Sequence, residues 1–194
     1  MPRLLDADAR RREIADATWR VIRRDGLENA SVRNVAAEAG LSAGSLRHMF
    51  ATQGELLVFA MAQVVERVTA RVAAQDASGD PLDAAERHLL ELLPLDDERR
   101  AENEVWTAFT ARALVDPSLR ACAEENHDLV RAGCRHWVEA IAAGRVDVDL
   151  EADRLHAVVD GLAVHAAVRP DAVTGERCRA VLRRHLEDLA ATPG

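Results

Sequence analysis

Residues 42–48, with the sequence Ser-Ala-Gly-Ser-Leu-Arg-His, contain side chains of the types that hydrogen-bond to DNA. Arg47 can donate two hydrogen bonds to a guanine, and Ser45 can bond to either a base or a phosphate. Ala43 can contact the methyl group of a thymine, and Gly44 allows the backbone to approach the DNA closely. If a helix presents these residues on one face, they predict recognition of base edges in the major groove.

The residues around this segment match the packing requirements of two short helices that cross at a steep angle. Such a crossing tolerates only a small side chain, which Ala36 provides, and its turn needs a residue with positive φ, which Gly40 provides. Apolar residues that lock the two helices together follow at the expected positions, namely Val35, Ala39, Leu41, Leu46 and Met49. The pattern predicts a helix-turn-helix within residues 31–50, and a plain helical hairpin is the alternative.

Hydroxyl side chains occupy the expected starts of the helices on either side of the recognition segment. Ser31 is placed to cap the helix that begins at residue 32, and Thr52 with Glu55 forms the capping-box pattern of a long helix. Backbone N–H groups at such helix starts carry partial positive charge and can hold phosphates. The complete predicted DNA-binding set is Ser31, Arg33, Ser42, Ala43, Gly44, Ser45, Arg47, His48, Thr52 and Gln53.

Apolar residues recur mainly at spacings of three and four, so the predicted fold is all-α. The main helix-boundary signals are Gly26, Gly40, Gly144, Asp80-Pro81 and Asp116-Pro117. They predict nine helices, with ranges of about 8–25, 32–39, 43–49, 53–74, 81–93, 98–115, 117–143, 150–169 and 175–191. The first three form an N-terminal helix-turn-helix domain of residues 1–52, and the others form a larger helical domain of residues 53–194.

The charge of the chain is unevenly distributed. The formal net charge is −8, which by itself argues against a nucleic-acid partner because phosphate binding needs local positive potential. Residues 1–52, however, hold nine arginines and seven acidic residues, whereas residues 53–194 hold sixteen arginines and twenty-six acidic residues. The acidity therefore belongs to the larger domain, and the N-terminal domain is weakly basic.

The sequence gives no indication of a membrane partner or of disulfide bonds. No apolar run approaches the roughly 20 residues that a membrane span requires, and the N-terminal segment lacks the apolar core of a signal peptide. We therefore expect a soluble, cytoplasmic protein. Its three cysteines do not form an even, closely spaced framework, so we expect reduced thiols.

In these features the chain resembles the tetracycline-repressor (TetR) family of transcriptional regulators. The resemblance is strong over roughly residues 10–60 and rests on Ile14-Ala15-Asp16-Ala17, Asp25-Gly26-Leu27, Ser31-Val32-Arg33-Asn34-Val35-Ala36, Glu38-Ala39-Gly40-Leu41-Ser42, Ser45-Leu46-Arg47-His48-Met49-Phe50 and Glu55-Leu56-Leu57. Beyond them, helix number, lengths and order agree, as does Asp160-Gly161-Leu162. The family commonly has a tyrosine where this chain has Arg47 or His48, and a lysine where it has Gln53.

The resemblance implies that residues 53–194 dimerise through their last two helices and hold a small-molecule cavity among the middle helices. Small residues beside leucines and valines on the eighth helix suit close packing across a two-fold axis, with core packing inside one chain as the alternative. The predicted dimer residues are Leu155, Val159, Leu162, Ala166, Val181, Leu182, His185 and Leu189. The predicted effector-contacting residues combine apolar walls with a few polar groups, and they are Trp106, Phe109, Thr110, Asn126, Val130, Cys134 and Trp137.

Two other kinds of chemistry are weakly indicated. Cys122, His127, Cys134 and His136 raise the alternative of a metal site, but Cys122 and Cys134 are about 18 Å apart along one helix, too far to share an ion. A thiol redox sensor is a second alternative. It is disfavoured because neither Cys122 nor Cys134 has an evidently basic setting. No Ser-His-Asp order, phosphate loop or paired Glu-x-x-His motif indicates an enzyme, so neither a catalytic site nor a cofactor is expected.

The sequence as a whole predicts a ligand-responsive repressor. It is expected to bind a near-palindromic operator in double-stranded DNA as a homodimer and to leave it when an unidentified small organic effector binds. The competing hypothesis is a helical interaction protein whose helix-turn-helix has lost DNA binding. Its mark would be a surface without positive potential around residues 31–50.

Overall fold

The protein is described by a computed structural model that covers residues 2–192, with side chains from residue 9 onward. Within that range it contains nine α-helices and no strand, which confirms the predicted all-α fold. The helices are α1 (Pro2–Asp25), α2 (Val32–Glu38), α3 (Ala43–Arg47), α4 (Gln53–Ala74), α5 (Pro81–Leu90), α6 (Asp97–Ala113), α7 (Pro117–Ala142), α8 (Val148–Val168) and α9 (Gly175–Ala190). None of these described helices has the length and apolarity that a membrane crossing requires.

Polar side chains and glycines set the helix boundaries at several predicted positions. The Ser31 hydroxyl accepts a hydrogen bond from the Asn34 N–H at the start of α2, at 3.2 Å. The Asp80 carboxylate accepts one from the Leu82 N–H at the start of α5, at 2.8 Å. The glycines that were predicted to end helices all adopt positive φ, and they are Gly26, Gly40 and Gly144. Local chemistry therefore accounts for most of the agreement between predicted and observed helices.

The observed helix boundaries lie within two residues of the predicted ones except at α1 and α5, and the two-residue difference at the end of α3 affects the candidate site. α1 begins at Pro2 rather than near residue 8. α5 ends at Leu90 rather than at residue 93, because the N–H groups of residues 91–93 bond to carbonyls three residues earlier instead of four. α3 ends at Arg47 rather than at residue 49, which changes the exposure of the side chains that follow it.

The chain divides into two compact units, and the first consists of Met1–Glu66 together with Ala108–Cys122. Its apolar core combines α1, α2, α3 and the start of α4, and it contains Ile14, Ala17, Val21, Val35, Ala36, Leu46, Phe50 and Leu56. This unit is larger than the predicted domain of residues 1–52. The reason is that Leu56 of α4 belongs to the core of the unit and that Leu119 of α7 is buried within the second of its two segments.

The second unit consists of Arg67–Thr107 and Ala123–Gly194. Its core is built from apolar faces of α5, α7, α8 and α9, and its larger members include Leu89, Leu93, Trp137, Val138, Leu155, Leu162, Leu182 and Leu186. The buried His88 ring lies against Trp137, with ring centroids 4.8 Å apart. Its Nδ1 is 2.7 Å from the Ala84 carbonyl oxygen, so this buried polar atom is satisfied within α5.

Arg71 of α4 is the centre of a partly buried ion-pair network in the second unit. Its guanidinium binds both carboxylate oxygens of Glu102 in α6, and its Nε donates to Glu91 Oε2 at 3.2 Å. Arg99 also donates to Glu91, at 3.0 Å. Glu102 is only 3% exposed, so Arg71 is needed to compensate its charge. Hydrogen bonding to Glu102 is the largest cause of the raised pKa of Arg71.

Candidate nucleic-acid interface

The packing of α2 and α3 matches that of a helix-turn-helix. Val35 and Ala36 of α2 are buried in one apolar cluster with Leu46 of α3. Gly40 has a φ of 67°, and the Leu41 N–H donates to the Ala36 carbonyl oxygen at 2.8 Å, which closes the turn. This turn fixes α3 with Leu46 directed inward and with its other side open to solvent.

The end of α3 corrects one predicted packing position. Because α3 ends at Arg47, Met49 lies beyond the helix and is 40% exposed instead of locking the motif. Phe50 is buried in its place, with its ring centroid 5.0 Å from that of Phe59 in α4. The prediction for Met49 was wrong because it continued the helical spacing two residues too far.

The recognition segment exposes most of the side chains that were predicted to contact DNA, and the exposed members are Ser42, Gly44, Ser45, Arg47 and His48. Ala43 is half-buried and packs against the core of the first unit, so less of it is available to a thymine methyl group than predicted. The Ser42 hydroxyl accepts from the Ser45 N–H at 3.0 Å and lies 2.9 Å from the Ser45 hydroxyl. Ser42 therefore holds the start of α3 and orients Ser45.

The arginines near the motif fall into two groups. Arg33 and Arg47 are exposed, and neither pairs with an acidic side chain in the part of the chain that the structure describes. Arg20 and Arg24 of α1, in contrast, each donate to Glu38 of α2 at 2.8 Å. These hydrogen bonds lower the pKa of Glu38, and the bond from Arg20 has the larger effect. Of these four arginines, Arg33 and Arg47 keep their positive charge uncompensated for phosphates or bases.

The start of α4 has a variant of the predicted capping box, in which the carboxylate binds the N–H of the residue before Thr52 instead of that of Thr52. The Glu55 N–H donates to the Thr52 hydroxyl at 3.1 Å, and the Glu55 carboxylate accepts from the Ala51 N–H at 2.8 Å. Gln53 is exposed beside this cap. Because a carboxylate already lies at this helix start, its attraction for a phosphate is weaker than the sequence suggested.

The predicted effector-contacting residues differ in burial and do not all belong to one unit. In the second unit Cys134 and Trp137 are buried in the core, while Trp106, Asn126 and Val130 are half-buried. In the first unit, Phe109 is buried. Thr110, the next residue of α6, is exposed, so the prediction that Thr110 faces inward was wrong. The prediction also omitted two residues of α6 with buried polar atoms, the buried Asn103 and the half-buried Thr107.

The cysteine and histidine residues of α7 are placed as follows. Burial raises the pKa of the Cys134 thiol to about 12, so a reactive thiolate is disfavoured there. The His127 ring lies against His156 of α8, with centroids 4.5 Å apart, and the His136 ring lies edge-on to Trp137. Within the described residues, no three side chains of His, Cys, Asp or Glu come together as metal ligands.

Most of the predicted dimer residues lie inside the chain's own core. The buried members are Leu155, Val159, Leu162, Ala166, Leu182 and Leu189. Val181 and His185 are half-buried at its edge. The prediction selected the most apolar face of α8 and α9, and that face packs within the chain, so these residues do not form an exposed contact surface.

The buried Ala36, the glycine turn and the exposed Arg47 on α3 define a helix-turn-helix DNA-binding protein. Residues 14–58 match the family model of bacterial regulatory proteins of the tetR family, and residues 81–191 match that of the BetI-type transcriptional repressor C-terminal domain. The chain therefore belongs to the tetR family. It is a transcriptional regulator and not an enzyme.

Individual relatives agree with this assignment over more than nine-tenths of the chain. The HTH-type transcriptional regulator PksA of Bacillus subtilis is 43% identical, over 97% of this chain and 94% of its own length. The crystal structure of a transcriptional regulator from Rhodococcus sp. Rha1 superimposes with a TM-score of 0.83, at 34% identity over 92% of this chain and 95% of that one. The multidrug binding protein EbrR complexed with imidazole superimposes with a TM-score of 0.69, at 34% identity over 91% and 94% of the two chains.

The exposed position of Arg47 leads to a testable difference between two arginines. Replacing Arg47 with alanine is expected to relax base preference at one operator position, at a cost of about 1–3 kcal/mol for the preferred base. Arg33→Ala is the matched control, because a phosphate contact weakens binding to all sequences and reduces the salt slope by about one. Fluorescence anisotropy on single-base operator variants at two salt concentrations measures both. An unchanged base preference in Arg47→Ala would assign Arg47 to the phosphate contacts.

Proposed function

We propose that the protein is a ligand-responsive repressor that binds a near-palindromic operator as a homodimer and is released by a small organic effector. The observation that carries the dimer is an exposed apolar stripe on α8, which we call the α8 stripe. It consists of the exposed Ala157, Val164 and Val168 and the half-buried Gly161. A dimer of this kind places two α3 helices about 34 Å apart, one turn of DNA, and therefore reads two half-sites related by symmetry.

The α8 stripe is suited to a contact between two identical helices. Val164 is 41% exposed and Val168 is 72% exposed, although both are large apolar residues. A Cβ atom at Gly161 would meet nothing within 4 Å, so the space above this glycine is open to a close approach. Helical spacing places these residues along one side of α8, opposite the side that holds Leu155 and Val159 in the core. Apolar residues along one exposed helix side support an isologous contact.

The connection between effector and DNA is supported by the composition of the first unit. It includes the end of α6 and the start of α7, although these helices continue into the second unit. A Cβ atom at Gly54 of α4 would lie only 2.9 Å from the Ser118 hydroxyl, so α4 starts in close contact with the start of α7. A shift of α7 would therefore move α4 and the recognition helix, and a coupling of about 1–3 kcal/mol would change operator affinity roughly 5–150-fold.

The proposal of an effector draws on EbrR, which was also solved in complex with proflavin at 33% identity. The proposal of repression draws on the BetI-type repressor model that matches residues 81–191. A helix-turn-helix that has lost DNA binding would lack positive potential around residues 31–50. The exposed and uncompensated Arg33 and Arg47 argue against that hypothesis.

A gel-shift experiment tests this function. Labelled DNA from upstream of the chain's own coding sequence is titrated with the protein at two salt concentrations, with unrelated DNA as competitor. We expect a sequence-specific complex of two chains per site that weakens with salt. Proflavin is then added as a probe of effector release. A complex that unrelated DNA competes away equally well would contradict the proposal.

A further inference from the structure

Helix α6 carries two buried polar atoms that lack a hydrogen-bond partner among residues 9–192, the Asn103 amide oxygen and the Thr107 hydroxyl. Asn103 is only 6% exposed. Buried polar atoms are nearly always hydrogen-bonded, because leaving one unpaired costs free energy that the fold must supply elsewhere. Two such atoms on one helix therefore call for a specific explanation.

Burial of a threonine in a helix does not by itself produce this situation. Thr18 of α1 is fully buried, more so than the half-buried Thr107, yet its hydroxyl donates to the Ile14 carbonyl oxygen four residues earlier, at 2.7 Å. Thr107 has the Asn103 carbonyl at the same spacing, yet its hydroxyl has no partner in the described part of the chain. The usual internal solution for a buried threonine is thus available to Thr107 and is not used.

The two atoms belong to one side of α6. Residues four apart lie one helical turn from each other, about 6 Å along the axis, so a single small molecule can reach both. The half-buried Trp106 lies on the same turn and offers apolar surface. Glu102, also on this turn, is already bound by Arg71 through both of its carboxylate oxygens. The neighbouring acid is therefore compensated, and it adds no unpaired charge to the pair.

We propose that Asn103 and Thr107 are the polar anchor of the effector site, and that the effector is an uncharged organic molecule with at least one N–H or O–H donor. This inference rests on the proposed effector response. An amide oxygen accepts only from a donor, and a threonine hydroxyl can donate or accept, so a primary amide, an alcohol or a phenol satisfies both. A quaternary ammonium group satisfies neither atom and would be buried without a counter-charge.

The first test measures thermal unfolding without any ligand. Thr107→Val and Asn103→Leu preserve the branching of the side chains and remove the unpaired atoms, so each is expected to raise Tm by about 2–4 °C. Thr18→Val is the matched control, because it removes a hydrogen bond that is made, and its Tm is expected to fall. If Thr107→Val and Asn103→Leu lower Tm as Thr18→Val does, the two polar atoms serve the fold and the inference is overturned.

The second test uses three probes of similar size, benzamide, N,N-dimethylbenzamide and benzyltrimethylammonium. We expect benzamide to give the largest rise in wild-type Tm, and we expect this preference to disappear in Asn103→Leu/Thr107→Val. Equal responses to the three probes, including no response to any, would overturn the inference. If the Tm of the wild-type protein does not respond to the probes but the protein binds its operator, the inference fails and the proposed function stands. If the protein prefers benzamide but binds no operator, the proposed function fails.

Discussion

Replacing Arg71 with methionine is expected to lower the free energy of unfolding by about 3–5 kcal/mol, because the substitution leaves a buried carboxylate without compensation. Arg71 binds both oxygens of Glu102, which is 3% exposed, and it also donates to the partly buried Glu91. Methionine keeps most of the apolar stem of arginine, so the loss reports the charge rather than the packing. Urea unfolding followed by circular dichroism gives the difference.

A surface pair and a double substitution serve as controls for Arg71. Arg100→Met removes an exposed pair with Asp97, whose Arg100 Nη1 to Asp97 Oδ1 distance is 2.8 Å, and it is expected to cost less than about 1 kcal/mol. Arg71→Met/Glu102→Leu removes both charges and is expected to recover much of the stability, since replacing a whole buried pair is often neutral. If Arg71→Met lowers the free energy of unfolding no more than Arg100→Met does, the buried Glu102 carboxylate does not need Arg71 to compensate its charge.

The sequence was informative wherever a boundary depends on nearest neighbours. Ser31 caps α2 and Asp80 caps α5 because a hydroxyl or carboxylate reaches an N–H group two or three residues along the same chain. Gly40 turns the helix-turn-helix because only its own φ is involved. Such interactions are completed within a few residues, so one sequence is enough to predict them.

The network of Arg71 could not be predicted in this way. Its partners Glu91 and Glu102 are 20 and 31 residues away along the chain. Each helix, taken alone, shows only charged residues of the kind that normally face water. Which charged residues become buried is decided by how three helices meet, and helical periodicity does not contain that information.

The exposure errors at the recognition helix and in α6 have a common physical cause. Each helical residue is rotated by about 100° relative to its predecessor. An error of one or two residues in the end of a helix or in the position of its face therefore changes a side chain from buried to exposed. Met49 was predicted to be inward for the first reason, and Thr110 for the second. Burial of Ala36 and Leu46 was predicted correctly because the glycine turn fixes their phase.

Helical periodicity also led the sequence to place the predicted dimer residues on the wrong side of α8 for an exposed contact. Helix α8 has apolar residues on more than one side, and the sequence pattern selects the side with leucines, Leu155 and Leu162. The side with the most apolar surface gains most from burial, and in this chain that side lies in its own core. The α8 stripe is less apolar and contains small residues, and it remains exposed after folding. The surface that we propose for the partner is thus the less apolar of the two apolar sides of α8.

Val164→Arg is therefore expected to convert the proposed dimer into a folded monomer and to weaken operator binding by about 10²–10⁴-fold, the advantage that two linked half-site contacts provide. Near a two-fold axis the substitution places two guanidinium groups close together in an apolar contact, which adds repulsion to the loss of packing. Light scattering after size exclusion measures the mass, and gel shift measures operator affinity.

The control for Val164→Arg must be an apolar residue of similar exposure outside the α8 stripe. Leu129 of α7 is 52% exposed, and Leu129→Arg is expected to leave the mass and the operator affinity unchanged. Because Val164 is 41% exposed, an arginine there can reach water in the monomer, so circular dichroism and Tm should match the wild type. A Val164→Arg protein that keeps both its dimeric mass and its operator affinity would show that the two chains meet through another surface. If the mass falls while the affinity persists, each helix-turn-helix binds its half-site independently, and the requirement for a palindrome is lost with it.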